Sequence, residues 1–138
     1  MSRYPEPLAS KIYSGNQIAI LTVFFGPAAA VYFLKKNFDA MGATDKAKKT
    51  QIYGIISILV LFLALPFAPE IIPPISYVIG YVAAAFSTFN TYQKPALESA
   101  ERHSTWKATG VAALWFVATT PIYVLIIYIY ELQGWISI

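Results

Sequence analysis

The sequence predicts an all-α fold, a four-helix transmembrane bundle with helices over about residues 17–40, 49–67, 74–92 and 104–131. Three observations predict it. First, the stretches Ile18–Leu34, Ile52–Ala68, Ile71–Tyr92 and Ala108–Tyr130 contain no Asp, Glu, Lys, Arg or His. Runs of about 18 to 22 apolar residues match a ~30 Å hydrocarbon core at ~1.5 Å per helical residue. Second, only 12% of the chain is charged and 57% is hydrophobic, whereas ordinary globular domains carry about 25% charged residues. Third, Lys and Arg crowd the connections on one side of the predicted bundle.

The elements follow in order. Residues 1–16 read as a polar tail with Pro5 and Pro7, and Ser14-Gly15-Asn16-Gln17 matches the Ser-x-x-Gln capping pattern ahead of the first apolar run. A signal peptide ending at Ala28-Ala29-Ala30 is the competing interpretation of that run. Its continuation to Leu34 and its stop at Lys35-Lys36 favour a membrane anchor. The first helix extends to about Ala40, where Gly42 can supply a left-handed terminal residue. Asp45 to Thr50 reads as a basic connection. Pro66, Pro69, Pro73 and Pro74 around Glu70 are too many for a continuous helix and predict a surface hairpin between the second and third helices. The fourth helix runs from near Ser104 to near Glu131, and Trp135 anchors the tail at an interface.

Lys35, Lys36, Lys46, Lys48, Lys49, Lys94, Arg102 and Lys107 fall on one predicted side, against Arg3 and Lys11 on the other. The positive-inside rule then places both loops in the cytoplasm and both termini on the non-cytoplasmic side. The whole chain, 1–138, reads as a single integral membrane domain. Its net charge of +3 belongs to this asymmetry and not to a nucleic-acid interface. The absence of Cys excludes disulfides and thiolate metal sites, and one His with two Met gives no basis for a metal centre or another cofactor. The apolar runs also lack the carboxylate or His that proton-coupled transport uses, and the gating charges of a voltage sensor.

Candidate packing or hinge residues are Gly26, Pro27, Gly80 and Pro121. Gly26-x-x-x-Ala30 and Gly80-x-x-x-Ala84 would let backbones approach closely. Pro27 and Pro121 would free the carbonyls of Val23 and Val117, with Thr119 and Thr120 placed to compensate. Tyr77 and Tyr81, four apart on one helix face, are with Trp115 the candidates for a ligand groove. Tyr53, Tyr92, Trp106, Tyr128 and Tyr130 fall where an interfacial belt is expected. His103 beside Ser99 and Ser104 suggests a hydrolase only weakly. A solvated loop with a Glu98–Arg102 pair is the simpler expectation, and no catalytic residue is assigned.

Ile12-Tyr13-Ser14-Gly15-Asn16-Gln17-Ile18-Ala19, then Phe25-Gly26-Pro27-Ala28-Ala29, Asn37-Phe38-x-x-Met41-Gly42 and Ser104-x-Trp106-x-x-x-Gly110 give the chain a further likeness. It resembles a group of short, uncharacterised bacterial membrane proteins. That resemblance implies a four-helix protein of the bacterial inner membrane and supplies no catalytic residue. The expected function is non-enzymatic: a structural or accessory component in the lipid bilayer, packing against itself or a membrane protein partner. The alternative is a small permease, channel or lipid-binding protein with a Pro-kinked, hydroxyl-lined passage.

Overall fold

The computed structural model describes residues 11–98 and 100–137. Arg3, Pro5, Pro7 and Ser99, which figured in the sequence reading, lie outside them. The described residues are all-helical. They form α1 (Gly15–Phe25), α2 (Pro27–Ala40), α3 (Thr44–Ala64), α4 (Pro74–Thr88), α5 (Lys94–Leu97) and α6 (Thr105–Leu132). A 3-10 turn, Leu65–Phe67, extends α3, and a π-helical stretch, Phe89–Gln93, joins α4 to α5.

The predicted first helix is in fact two. Gly26 has φ 95° and ψ 179°, a conformation that only glycine adopts readily. A residue before proline is also pushed out of the helical region, while proline itself suits the first position of a new helix. Gly-Pro therefore ends α1 and starts α2. The chain then folds back on itself, since Tyr13 and Asn37 exchange hydrogen bonds that a continuous helix would hold about 36 Å apart at ~1.5 Å per residue. α1 and α2 are an antiparallel hairpin with Gly26 at its tip.

This fold-back sets the two described ends of the chain apart, whereas the sequence predicts both termini on one side; the terminal residues themselves lie outside the described residues. Ile12 pairs with Arg102 in an isolated parallel bridge: Ile12 N–H donates to the Glu101 carbonyl and His103 N–H to that of Ile12. The described N-terminal segment thus sits where α6 begins. Trp135 stacks on Tyr130 at the other end of α6, where the Tyr130 hydroxyl donates to the Leu63 carbonyl. The two ends of the described chain are separated by the length of α6, 28 residues or about 42 Å. Lys11 moves accordingly to the basic end. Nine of the ten Lys and Arg residues now share that end, the tenth being Arg3.

Several expectations hold. Ser14 and Gln17 form the capping box, Gly42 has φ 73°, and the proline-rich segment turns between α3 and α4. Ser104 caps α6. The basic connection at residues 45–50 is instead the opening of α3, because Lys and Ala there are good helix formers.

α2 is the central element. Ala28, Ala29, Ala30, Phe33, Leu34, Asn37 and Phe38 are buried, and it packs against α1, α3, α4 and α6. α3 buries only Ala47. Two segments, Thr44–Phe67 and Thr105–Leu132, are long and apolar enough to cross a membrane, and 0% and 6% of their most apolar windows are buried. Neither helix is covered by the rest of the described chain, and most of their Ile, Leu, Val and Phe side chains are exposed.

Candidate functional site

α3 and α4 diverge from their hairpin and pack on α2 more than on each other. Between them runs a groove of about 830 Å³ with α2 as its floor. Each wall is one helix face, read at three- and four-residue spacing. α3 contributes Lys46, Lys49, Tyr53, Ser57 and Leu61, α4 contributes Tyr77, Gly80, Tyr81 and Ala84, and the floor carries Pro27, Val31 and Leu34. The lining is chiefly apolar. Its charge is confined to the basic end, where the Lys46 ammonium lies 5.4 Å from the centroid of the Tyr92 ring and Lys49 also lines the groove.

Close contact sets the groove's depth. A Cβ on Gly54 would meet both Val31 methyl carbons at 2.6 Å, so glycine is what lets α3 settle on α2. A Cβ on Gly15 would likewise meet Phe89 at 2.8 Å, which brings α1 against the end of α4. In α6 the fully buried small residues are Ala108 and Ala112, one turn apart.

A buried amide clasp holds the basic end together. Asn37 Nδ2 donates to the Tyr13 carbonyl (2.8 Å) and to Gln93 Oε1 (3.0 Å), and Asn37 Oδ1 accepts from the Tyr13 N–H (2.8 Å). Gln93 Nε2 donates to the Leu34 carbonyl (2.9 Å). Both amide side chains are completely buried. The π-helical stretch, just ahead of Pro95, turns Gln93 inward. Gln17 Nε2 adds a bond to the His103 carbonyl at 2.8 Å. Burial, with the neighbouring Tyr32 phenol, pushes the Tyr13 hydroxyl up to about 12. Burial and the charges of Lys107 and Lys11 hold His103 below the ordinary imidazole value.

Of the residues singled out from sequence, Tyr77, Tyr81, Gly80 and Pro27 line the groove. Trp115 is outside it, packed on Tyr32 at 5.8 Å between ring centroids. The close approach expected at Gly26 and Gly80 is not made within the chain, because a Cβ at either would meet nothing within 4 Å. Gly26 is required by its backbone, and Gly80 leaves open space in the α4 wall. Pro121 lies inside α6, and Thr119 and Thr120 donate to the carbonyls of Trp115 and Phe116. The expected compensation at Val117 is therefore one residue or more out of register. Among the described residues the one ion pair is Lys35–Asp39, not Glu98–Arg102. Ser104 Oγ accepts from the Lys107 N–H as a helix cap, and among the described residues no hydrogen bond joins it to His103.

Sequence reading missed the clasp and the two groove lysines. Gln93 was signalled only by closing a charge-free stretch, and Asn37, set between Lys36 and Asp39, had no local signal of its own. Lys46 and Lys49 looked like loop charges until α3 began at Thr44. Comparison with protein-family models, with curated proteins and with solved structures gives no match.

Proposed function

We propose that this is a multi-pass protein of the bacterial inner membrane which holds an amphiphile in the groove between α3 and α4. On this reading α3, α4 and α6 span the bilayer, α1 and α2 form a re-entrant hairpin, and the basic end faces the cytoplasm. The observation that carries it is the groove's polarity: apolar walls along its length and two ammonium groups at one end. That arrangement suits an acyl chain between the helices and an anionic headgroup at the interface. Its volume falls within the roughly 300–1,000 Å³ of small-molecule sites. The activity is non-enzymatic binding. Within the chain Gly26 serves the backbone turn and Gly80 leaves room in the groove, which is the use this reading makes of both.

Binding is tested by identifying lipids retained through purification in dodecyl maltoside. Gly80→Leu and Ser57→Leu fill the groove from opposite walls, and both are expected to lose most of the lipid that the unmodified protein keeps. Equal retention in all three proteins would overturn the reading. Topology is tested separately in this Cys-free chain. Asn16→Cys and Asp45→Cys should label from the same side of the membrane and Ser137→Cys from the other. An Asn16→Cys that labels with Ser137→Cys would restore a spanning first helix.

A further inference from the structure

On the side of α2 away from the groove lies a second, polar cleft of about 480 Å³. Three lysines line it from three parts of the chain: Lys11 from the N-terminal segment, Lys36 from α2 and Lys107 from α6. His103 lines it too, its ring stacked on that of buried Tyr13 at 4.3 Å between centroids. Like charges gathered in one cleft repel unless an anion joins them. Among the described residues the carboxylate lining the cleft is Asp39, and it is engaged with Lys35 at 2.8 Å.

The cluster is held by main-chain bonds, not by side-chain chance. The Ile12 bridge to Glu101 and His103 fixes the residues next to Lys11, and the Asn37 clasp fixes Tyr13 beside α2. We propose that this cleft binds a phosphate group, with Lys11, Lys36 and Lys107 as its charged donors and His103 at its edge. Three donors converging from separate directions match an oxyanion with at least three free oxygens and close to two charges. A carboxylate offers two oxygens and one charge. The phosphate is either free or a terminal monoester, as in the headgroup of a phosphatidic acid. This site is independent of the α3–α4 groove.

His103 is the single His of the chain, so its imidazole resonances report on the cleft without ambiguity. The groups facing it are Lys11, Lys36, Lys107, Asp39 and the phenols of Tyr13 and Tyr32. In dodecyl maltoside, inorganic phosphate titrated against matched chloride should move these resonances saturably and raise the pH at which the ring protonates. Lys36→Ala and Lys107→Ala should each weaken that response about tenfold, the scale of one charged hydrogen bond. Gly80→Leu should leave it unchanged. If phosphatidic acid added to the micelles produces the shift while inorganic phosphate and diacylglycerol do not, the source is a lipid headgroup. A chloride response equal to that of phosphate, or no response of the unmodified protein to phosphate or phosphatidic acid, would overturn the site.

Discussion

α2 and α3 pack against each other, and both come from apolar stretches, yet they are built for opposite surroundings. α2 buries seven of its 14 residues, while α3 buries one of 21. Hydropathy does not separate them. What separates them is side-chain shape and hydrogen bonding: α2 offers Ala28-Ala29-Ala30 to its neighbours and an amide, Asn37, to the backbone of another segment. α3 offers outward-facing Ile52, Ile56, Leu59 and Val60, side chains that need only an apolar medium. In a chain apolar throughout, small residues and buried amides mark the interior better than hydrophobicity does.

The sharpest way to break this contrast is Asn37→Leu. It strands the Tyr13 N–H, the Tyr13 carbonyl and Gln93 Oε1 in the interior, each costing about 1–3 kcal/mol. The expected loss exceeds ~3 kcal/mol, whereas Ile56→Ala on the exposed face of α3 should change stability by no more than about 0.5 kcal/mol. Unfolding from maltoside micelles by dodecyl sulfate, followed by circular dichroism, measures both. Comparable losses would erase the distinction between the helices.

Gly54→Ala tests the contact between them. Its Cβ would press on both Val31 methyls, and overpacking of this kind costs about 1–3 kcal/mol. Adding Val31→Ala should recover most of the loss; failure to do so would place the strain elsewhere. Gly26→Ala should cost about 1–2 kcal/mol through its positive φ alone, with no side-chain contact involved. Pro27→Ala should be nearly neutral beside it, since an ordinary residue also fits the first turn of α2.

The smallest effect is one of pH. His103 lies below its ordinary value in the fold, so the unfolded chain binds the proton more readily. Stability should therefore be full above about pH 6.5, the unperturbed imidazole value, and decline as pH falls through it. His103→Gln should flatten that decline. A slope that survives the substitution would assign it to carboxylates.

Much of this was legible in the sequence, and the failures share one cause. The capping box at Ser14, the turn around Glu70 and the start of the last helix near Ser104 are local chemistry, visible in a few adjacent residues. Tyr77 and Tyr81 share a face because helical spacing requires it. The hairpin at Gly26 was misread because an apolar run long enough to span a membrane outweighed a Gly-Pro pair that marks a turn. Everything downstream of that choice, including the side assigned to Lys11 and the cleft it enters, was hidden with it. The clasp was beyond reach for another reason: Asn37 and Gln93 are 56 residues apart, and nothing local to either announces the other.

That separation also sets an order of events during synthesis. The hairpin leaves the ribosome first, but α1 has 11 residues and α2 has 14, about 16 and 21 Å of helix, each short of a bilayer's core. Its closing partners, Gln93 and the His103 carbonyl, are translated only after α3 and α4 have been made. The hairpin is accordingly made before the residues that seat it. A nascent chain released before residue 103 should therefore leave Thr22→Cys, at a position completely buried in the finished protein, far more reactive than it is there.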